Sequence, residues 1–278
     1  MKITNPQNDI FDIIILAGQS NMEGNGRGES EYRYISTEDI MILEDPYTTS
    51  AEKGRKGKDV VVMKNNGEGV ISVADERIDS EGVRCARLAL SFADCYRAEK
   101  KAQNRKILLV DTSVGGTGFD GEHWVRGGVL FNRMLDMVDS AISMNPENRV
   151  VAFLWHQGEH DAYECRESSA AEIEDFYLEN FKILTDTVRK KYGQTLPIVA
   201  AGFSHSWMDE YPEQNAAVIS AARRHLSDVG YARYITDTLD LATNDEAVGN
   251  GDTVHFSRPA LYTLGKRYYS AYRSIVDS

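Results

Sequence analysis

The feature that most constrains this fold is a run of four large apolar residues, Ile13-Ile14-Ile15-Leu16, preceded by Asp12 and followed closely by Gly18. A continuous apolar run of this length is typical of a β-strand buried on both faces, as in parallel sheets. Ser20 therefore stands just past the carboxyl end of a strand, where open α/β sheets bind ligands. Ser20 or Asn21 would also suit the N-cap of a short helix. This stretch alone leaves both interpretations open.

Four more apolar runs follow, with amphipathic helical patterns between them. The runs are Ile107–Val110, Val150–Leu154, Pro197–Gly202 and Tyr234–Thr236. One helical pattern places Cys85, Leu88, Ala89, Phe92 and Tyr96 on a single apolar face. Strands that alternate with helices form a parallel sheet covered on both faces and joined by right-handed crossovers. We therefore predict a three-layer α/β/α sandwich with a five-stranded parallel sheet.

The segment 24–80 is polar and carries too little apolar surface for a core of its own. It contains two short candidate strands, Asp39–Leu43 and Val60–Met63, around a basic loop at Lys53–Lys58 that we interpret as solvated. We predict that it is an insertion packed near the mouth of the site. The whole chain, 1–278, is then a single domain.

Charge and targeting signals restrict the partners and the compartment. The net charge is −12 without a long basic run, which argues against nucleic acid and anionic membrane surfaces as partners. The first ten residues lack the pattern of a signal peptide, and no apolar run approaches the ~20 residues that span a bilayer. These features predict a cytoplasmic protein.

The three cysteines, Cys85, Cys95 and Cys165, do not have metal-site spacing. If Cys85 and Cys95 share one helix, ten residues separate their Cα atoms by ~15 Å, too far for a disulfide. We predict that all three are reduced and structural.

Polar segments follow the first, second, third and fifth predicted strands, and such segments converge at one sheet edge. They carry a hydroxyl at Ser20, a glycine turn at Gly115-Gly116, an amide at Gln157, and the pair Asp252 and His255. Acyl transfer needs these groups. A histidine activates the serine, a carboxylate orients the histidine, and N–H donors stabilise the oxyanion. A bare Asp-x-x-His pair is common by chance, so the prediction of an acyl-transfer site depends on the four segments together.

These segments resemble the conserved blocks of the SGNH hydrolase superfamily, in the branch of sialate O-acetylesterases and acetylxylan esterases. The resembling blocks are Gly18-Gln19-Ser20-Asn21-Met22, Gly115-Gly116-Thr117 with Trp124, Trp155-His156-Gln157-Gly158-Glu159, and Asp252-Thr253-Val254-His255. The resemblance implies a flavodoxin-like fold. It also implies a serine ester hydrolase that removes O-acetyl groups from a carbohydrate through an acetyl-enzyme, without a cofactor or metal. The implied partner is a small-molecule or oligosaccharide acetyl ester.

The resemblance also implies residue roles. Ser20 is the nucleophile, His255 the general base and Asp252 its orienting carboxylate. The backbone N–H groups of Ser20 and Gly116 and the side chain of Gln157 form the oxyanion hole, although Gly115 stays open as the donating glycine. Residues that we expect to line the pocket are Gln19, Asn21, Gly115, Trp124, His156, Glu159 and His160. Glu23 and His160 depart from the commonest family pattern.

Several alternatives stay open at this stage. Five other histidines compete with His255 as the base: His123, His156, His160, His205 and His225, of which we expect His225 on the surface. Trp124 and Trp207 either stack on a sugar or pack in the core. The rival functions are an esterase or thioesterase for another acyl group, and a non-catalytic carbohydrate-binding protein. The sugar and the oligomeric state are left open.

Overall fold

The structure is a computed structural model that describes residues 8–45, 47–53, 59–65, 69–100 and 104–278. In chain order the strands are β1 (Phe11–Gly18), β2 (Ile40–Glu44), β3 (Tyr47–Lys53), β4 (Asp59–Asn65), β5 (Val70–Val73), β6 (Arg77–Ile78), β7 (Arg84–Cys85), β8 (Lys106–Asp111), β9 (Arg149–His156), β10 (Ile198–Ala201) and β11 (Ala232–Ile235). The helices are α1 (Ser20–Glu23), α2 (Leu88–Lys100), α3 (Val129–Ser143), α4 (Glu159–Glu164), α5 (Ala170–Tyr192), α6 (His205–Glu210), α7 (Pro212–Asp228), α8 (Asn244–Val248) and α9 (Arg258–Val276).

A seven-stranded sheet, in the order β11-β10-β9-β1-β8-β2-β5, forms the centre of the fold. Every neighbouring pair is parallel except β2 with β5, which is antiparallel. All eight residues of β1 are buried, as its apolar run predicts. Because side chains alternate along a strand, Ile13 and Ile15 face one apolar layer while Ile14 and Leu16 face the other. The first layer packs under α3, α5 and α7, and the second under α2 and α9, which confirms the α/β/α sandwich.

The sheet has seven strands where the sequence predicted five. The two additional strands, β2 and β5, come from the polar segment 24–80 and extend the sheet beyond β8. The side chains of β5 are mostly exposed, as is usual at an edge, so this strand carries little apolar signal. The predicted strands at 39–43 and 60–63 are both present, as β2 and β4, and β4 pairs with β3. Residues 54–58 of the predicted basic loop lie outside the described residues. The single-domain organisation stays a prediction.

Two local expectations were wrong. Cys85 lies on β7, ahead of the start of α2 at Leu88, so it does not share a helix with Cys95. His225 is buried, and its Nε2 lies 2.7 Å from the Thr185 hydroxyl, because α7 turns that side chain toward α5.

None of the three cysteines, all within the described residues, forms a disulfide. In the described part of the chain, no helix combines the length and apolar character needed to cross a membrane.

Candidate active site

The adjacent strands β9, β1 and β8 bring their carboxyl ends together at one edge of the sheet. Ser20 follows β1, the turn Gly115-Gly116 follows β8, and Gln157 follows β9. A pocket of about 460 Å³ opens at this edge. It is lined by Gln19, Ser20, Glu23, Asn25, Arg77, Gly115, Gly116, Glu159, His160, Tyr163, Trp207, Val254 and His255. The predicted convergence of separate polar segments is therefore present in the fold.

Ser20 begins α1 and does not act as a cap. The N-cap position is Gln19, which makes no side-chain capping bond, and the Asn21 side chain contacts Glu159 instead. The Ser20 carbonyl accepts a hydrogen bond from the Asn25 amide at 2.8 Å. Ser20 lines the pocket, and the N-cap interpretation of this stretch does not apply to it.

Asp252 and His255 form a hydrogen-bonded pair on the loop before α9. His255 donates from Nδ1 to Oδ2 of Asp252 at 2.8 Å, and its backbone N–H donates to Oδ1 at 3.1 Å. The Asn244 amide donates to the same Oδ2 at 2.9 Å. Burial raises the pKa of Asp252, but these bonds and the His255 charge outweigh it and lower that pKa to about 2. In the neutral form of His255, the bond to Asp252 holds the proton on Nδ1, which leaves Nε2 as an acceptor.

Ser20 and His255 share the pocket wall, but among the described residues no hydrogen bond joins the Ser20 hydroxyl to His255. Catalytic hydrogen bonds are often long in unliganded enzymes and tighten when substrate binds. The arrangement is therefore compatible with a nucleophile and a base that come into contact when substrate is bound.

The glycine turn after β8 presents one backbone donor to the pocket. The Gly115 N–H is engaged, because it donates to Oε2 of Glu23 at 2.9 Å. Gly116 has a φ of +68°, a left-handed conformation that favours glycine, and its N–H has no acceptor among the described residues. The Ser20 N–H is likewise without an acceptor in the described part of the chain. These contacts favour Gly116 over Gly115 as the oxyanion donor.

The Gln157 side chain does not line the pocket. It is buried behind the pocket, and its amide nitrogen donates to Oδ2 of Asp161 at 2.7 Å and to the Thr117 carbonyl at 3.2 Å. A buried amide seeks acceptors, and the carboxylate of Asp161 is the strongest one within reach. To donate to an oxyanion, the Gln157 amide would have to release one of these two acceptors and bind the substrate oxygen instead. The oxyanion role of Gln157 therefore stays a prediction.

Three of the expected pocket residues lie behind the wall. Gln19, Gly115, Glu159 and His160 line the pocket, whereas Asn21, Trp124 and His156 are fully buried and do not. Trp124 is fully buried and packs in the core, where its indole N–H donates to the Thr117 hydroxyl. His156 contacts the Tyr268 hydroxyl at 3.0 Å. Their inward orientation depends on neighbouring elements and leaves no trace in local sequence.

Sequence reasoning missed a polar wall that the polar segment supplies. Arg77 of β6 pairs with Oε1 of Glu23 at 2.9 Å and donates to the Asn25 side chain at 3.0 Å. Two aromatic side chains, Tyr163 and Trp207, also line the pocket, and both pack against Tyr211. Trp207 and Tyr211 have ring centroids 4.8 Å apart, and Tyr163 packs edge-on against Tyr211 at 5.7 Å. In the sequence, only one residue pointed toward the polar wall: Glu23, which departs from the commonest pattern of the family that the chain resembles.

Two buried acids support the loops around the pocket. Burial raises the pKa of Glu159, but the His156 imidazole, 3.6 Å away, and the hydrogen bond from the Asn21 amide outweigh this effect, so the net pKa is lowered. Burial raises the pKa of Asp161 despite opposing contributions from His160 and from the N–H groups of Asp120 and Phe119. Asp161 accepts those two N–H bonds at 2.7 and 3.1 Å, so it organises the loop after the glycine turn. Within the described residues no group of three or more His, Cys, Asp or Glu side chains could hold a metal ion.

The family comparison covers nearly the whole chain. A family model described as "Carbohydrate esterase, sialic acid-specific acetylesterase" matches residues 10–274. No curated protein sequence matches the chain significantly.

Solved structures share the fold at low sequence identity. NanS aligns with a TM-score of 0.69 at 14% identity, over 97% of this chain and 98% of its own. A protein from Arabidopsis thaliana aligns with a TM-score of 0.65 at 20% identity, over 95% and 98% of the two chains. A carbohydrate acetylesterase from Xanthomonas citri aligns with a TM-score of 0.60 at 16% identity, over 95% of this chain and 56% of its own. At these identities the likeness concerns the fold.

Proposed function

Because the chain belongs to the carbohydrate esterase family described as sialic acid-specific acetylesterases, we propose that it is a serine esterase that removes O-acetyl groups from a carbohydrate. One observation carries the proposal. Ser20 and His255 line the same pocket, and His255 is hydrogen-bonded to Asp252. A hydroxyl, an imidazole and a carboxylate in this relation are the groups that acyl transfer to serine requires.

The first half of the reaction forms an acetyl-enzyme. The Ser20 oxygen attacks the acetyl carbonyl carbon while Nε2 of His255 takes its proton. The tetrahedral intermediate then expels the sugar oxygen, which receives that proton from His255. Asp252 stabilises the imidazolium between these two transfers, a role supported by the 2.8 Å bond between the two side chains.

The second half releases acetate. A water molecule gives its proton to His255 and attacks the acetyl carbon on Ser20. When this second tetrahedral intermediate collapses, the Ser20 oxygen leaves and takes the proton back from His255. No atom is gained or lost by the enzyme over the cycle, so this route consumes only the ester and water.

Both intermediates carry an oxyanion that needs preorganised donors. The backbone N–H groups of Ser20 and Gly116 are our candidates, because both are without acceptors in the described residues. Such donors act on the transition state more than on bound substrate, since the charge develops only there. Gln157 is retained as a third candidate from the family resemblance.

The direct test is active-site labelling combined with product analysis. An organophosphonate should label the protein once, on Ser20, and Ser20→Ala should abolish esterase activity in a protein that melts like the wild type. Acetate release from acetylated xylo-oligosaccharides and O-acetyl sialic acids identifies the sugar. A series of p-nitrophenyl esters separates acetyl from longer acyl groups. Labelling on another serine with activity retained in Ser20→Ala would falsify the assignment.

A further inference from the structure

The carboxylate of Glu23 lies beside the nucleophile and is bound on both of its oxygens. Oε2 accepts the Gly115 N–H at 2.9 Å, and Oε1 pairs with the Arg77 guanidinium at 2.9 Å. A Cβ added to Gly115 would meet Oε2 of Glu23 at 3.1 Å and the Ser20 Cβ at 3.4 Å. Only the small glycine therefore separates this carboxylate from the proposed nucleophile.

These contacts belong to a circuit of hydrogen bonds that starts at Glu23 and returns to Ser20 on the same helix, α1. From Arg77 a second bond reaches the Asn25 side chain at 3.0 Å, and the Asn25 amide donates to the Ser20 carbonyl at 2.8 Å. The circuit thus connects the start of α1, the glycine turn after β8, and strand β6 of the polar segment. Both ends of the candidate oxyanion hole, Ser20 and the Gly115-Gly116 turn, are attached to it.

The acceptor for Gly115 determines which backbone donor faces the pocket. Because the Gly115 N–H is turned toward Glu23, the next N–H in the turn, that of Gly116, is the one left for an oxyanion. Removing the acceptor would free the turn to rotate, and a donor acts well only when its direction is set in advance. Glu23 therefore positions a donor that it does not itself supply.

A carboxylate in this position also carries an electrostatic cost for the proposed reaction. An unpaired negative charge near a developing oxyanion disfavours the transition state, and a partly buried pocket screens it poorly. The Glu23 side chain is only 14% exposed and that of Arg77 is 31% exposed. Arg77 supplies the compensating positive charge where the carboxylate needs it.

We propose that Glu23 and Arg77 act together as positioning residues for the oxyanion hole, Glu23 by orienting the Gly115-Gly116 turn and Arg77 by neutralising Glu23. This inference rests on the proposed serine esterase function. It makes the two-residue strand β6, which belongs to the polar segment, a working part of the catalytic centre.

The test compares Arg77→Met, Glu23→Gln and the double variant, with p-nitrophenyl acetate as the substrate. This substrate lacks a sugar, so any contact of Arg77 with a carbohydrate does not enter the measurement. Arg77→Met removes the ion-pair partner of the carboxylate, and we expect kcat to fall about 10- to 100-fold with KM nearly unchanged. In Glu23→Gln the amide oxygen can still accept the Gly115 N–H, but without its charge it is a weaker acceptor, so kcat should fall, although by less than in Arg77→Met.

The double variant gives the decisive result. Removing the charge of Glu23 should restore most of the activity lost in Arg77→Met, so the double variant should be more active than that single variant. A purely structural ion pair would show the same rescue in stability, but its loss in Arg77→Met would then appear in the thermal melt and in the folded fraction, with kcat per folded molecule unchanged. A double variant no more active than Arg77→Met overturns the inference, as does an unchanged kcat in Arg77→Met.

Controls separate folding and the parent hypothesis from this inference. Arg84 on β7 pairs with Asp75 and Glu76 and does not line this pocket, so Arg84→Met should keep wild-type kcat. Thermal melts identify any unfolded variant. If Arg77→Met does not fold, Arg77→Gln takes its place, because it also removes the positive charge but keeps a polar side chain. Glu23→Gln/Arg77→Gln should then be phosphonylated faster than Arg77→Gln, and equal rates overturn the inference. A wild-type protein without esterase activity or Ser20 labelling overturns the proposed function, and this inference with it.

Discussion

The Asn21 amide donates to Oε1 of Glu159 at 2.8 Å and so connects the turn that carries Ser20 with the start of α4. The other end of the same side chain accepts the Phe256 N–H at 3.1 Å, next to His255. Asn21 therefore bridges the two segments that carry the proposed nucleophile and base. A residue that the sequence suggested as a pocket residue or helix cap is instead a buried connector.

We predict that Asn21→Leu destabilises the protein and lowers activity. The substitution keeps the volume but leaves Glu159 and the Phe256 N–H without their partner, and an unsatisfied buried group typically costs ~1–3 kcal/mol. Urea unfolding measures the free energy, and kcat at a temperature far below the melt measures the misplacement of Ser20 and His255. Unchanged values of both would show that the bridge is dispensable.

We predict that Asp252→Asn reduces kcat by about 10⁴-fold while KM changes little, the scale seen when a triad carboxylate is neutralised. The neutral side chain no longer stabilises the imidazolium or selects the Nδ1 tautomer of His255. Steady-state kinetics tests this prediction, and a thermal melt of the variant shows whether it is folded. A folded Asp252→Asn with wild-type kcat would remove Asp252 from the mechanism.

Variants of Gln157 separate two possible roles of its side chain, donation to the oxyanion and support of Asp161. Gln157→Glu should destabilise the protein, because it sets a second carboxylate against Asp161 at the site of a 2.7 Å contact. For Gln157→Ala, the family resemblance predicts a kcat lower by ~10²–10³ with KM nearly constant, the effect of losing one oxyanion donor. A stability loss with unchanged kcat in the folded fraction would assign Gln157 to the support of Asp161 alone.

His123 predicts a pH dependence of stability. Burial, with a smaller contribution from the His160 charge, lowers the pKa of His123 from its ordinary value of 6.5 to about 4. Between these values the unfolded chain binds a proton that the folded protein excludes, so this group reduces stability as the pH falls from 6.5 to 4. The loss is about 3 kcal/mol for a shift of this size.

His123→Phe should remove that contribution. Urea unfolding at pH 7, 5.5 and 4 should show a smaller decline for this variant than for the wild type. The comparison must be relative, since burial also lowers the pKa of His225 and thus adds a loss of the same sign to both proteins. Parallel curves for the two proteins would mean that His123 is protonated in the folded state.

The glycine turn illustrates how far local sequence reasoning reached. Two adjacent glycines after a strand predicted a turn with an accessible backbone, and the turn is present. Which N–H faces the pocket depends on Glu23, 92 residues earlier in the chain, which binds that of Gly115. No pattern within the turn contains that information.

The apolar runs and the helical periods determined the layered fold, because burial on two faces or on one stripe is a property of consecutive residues. They also determined that Ser20, Gly116 and the Asp252–His255 loop meet, since carboxyl ends of parallel strands share one edge. Only the tertiary structure decided which side chains line the pocket. His156, at the end of β9, and Asn21, on α1, are buried and do not line the pocket. Arg77, from the same polar segment that adds β2 and β5 to the sheet, pairs with Glu23. Such contacts depend on the packing of distant segments, which leaves no periodic signal in either one.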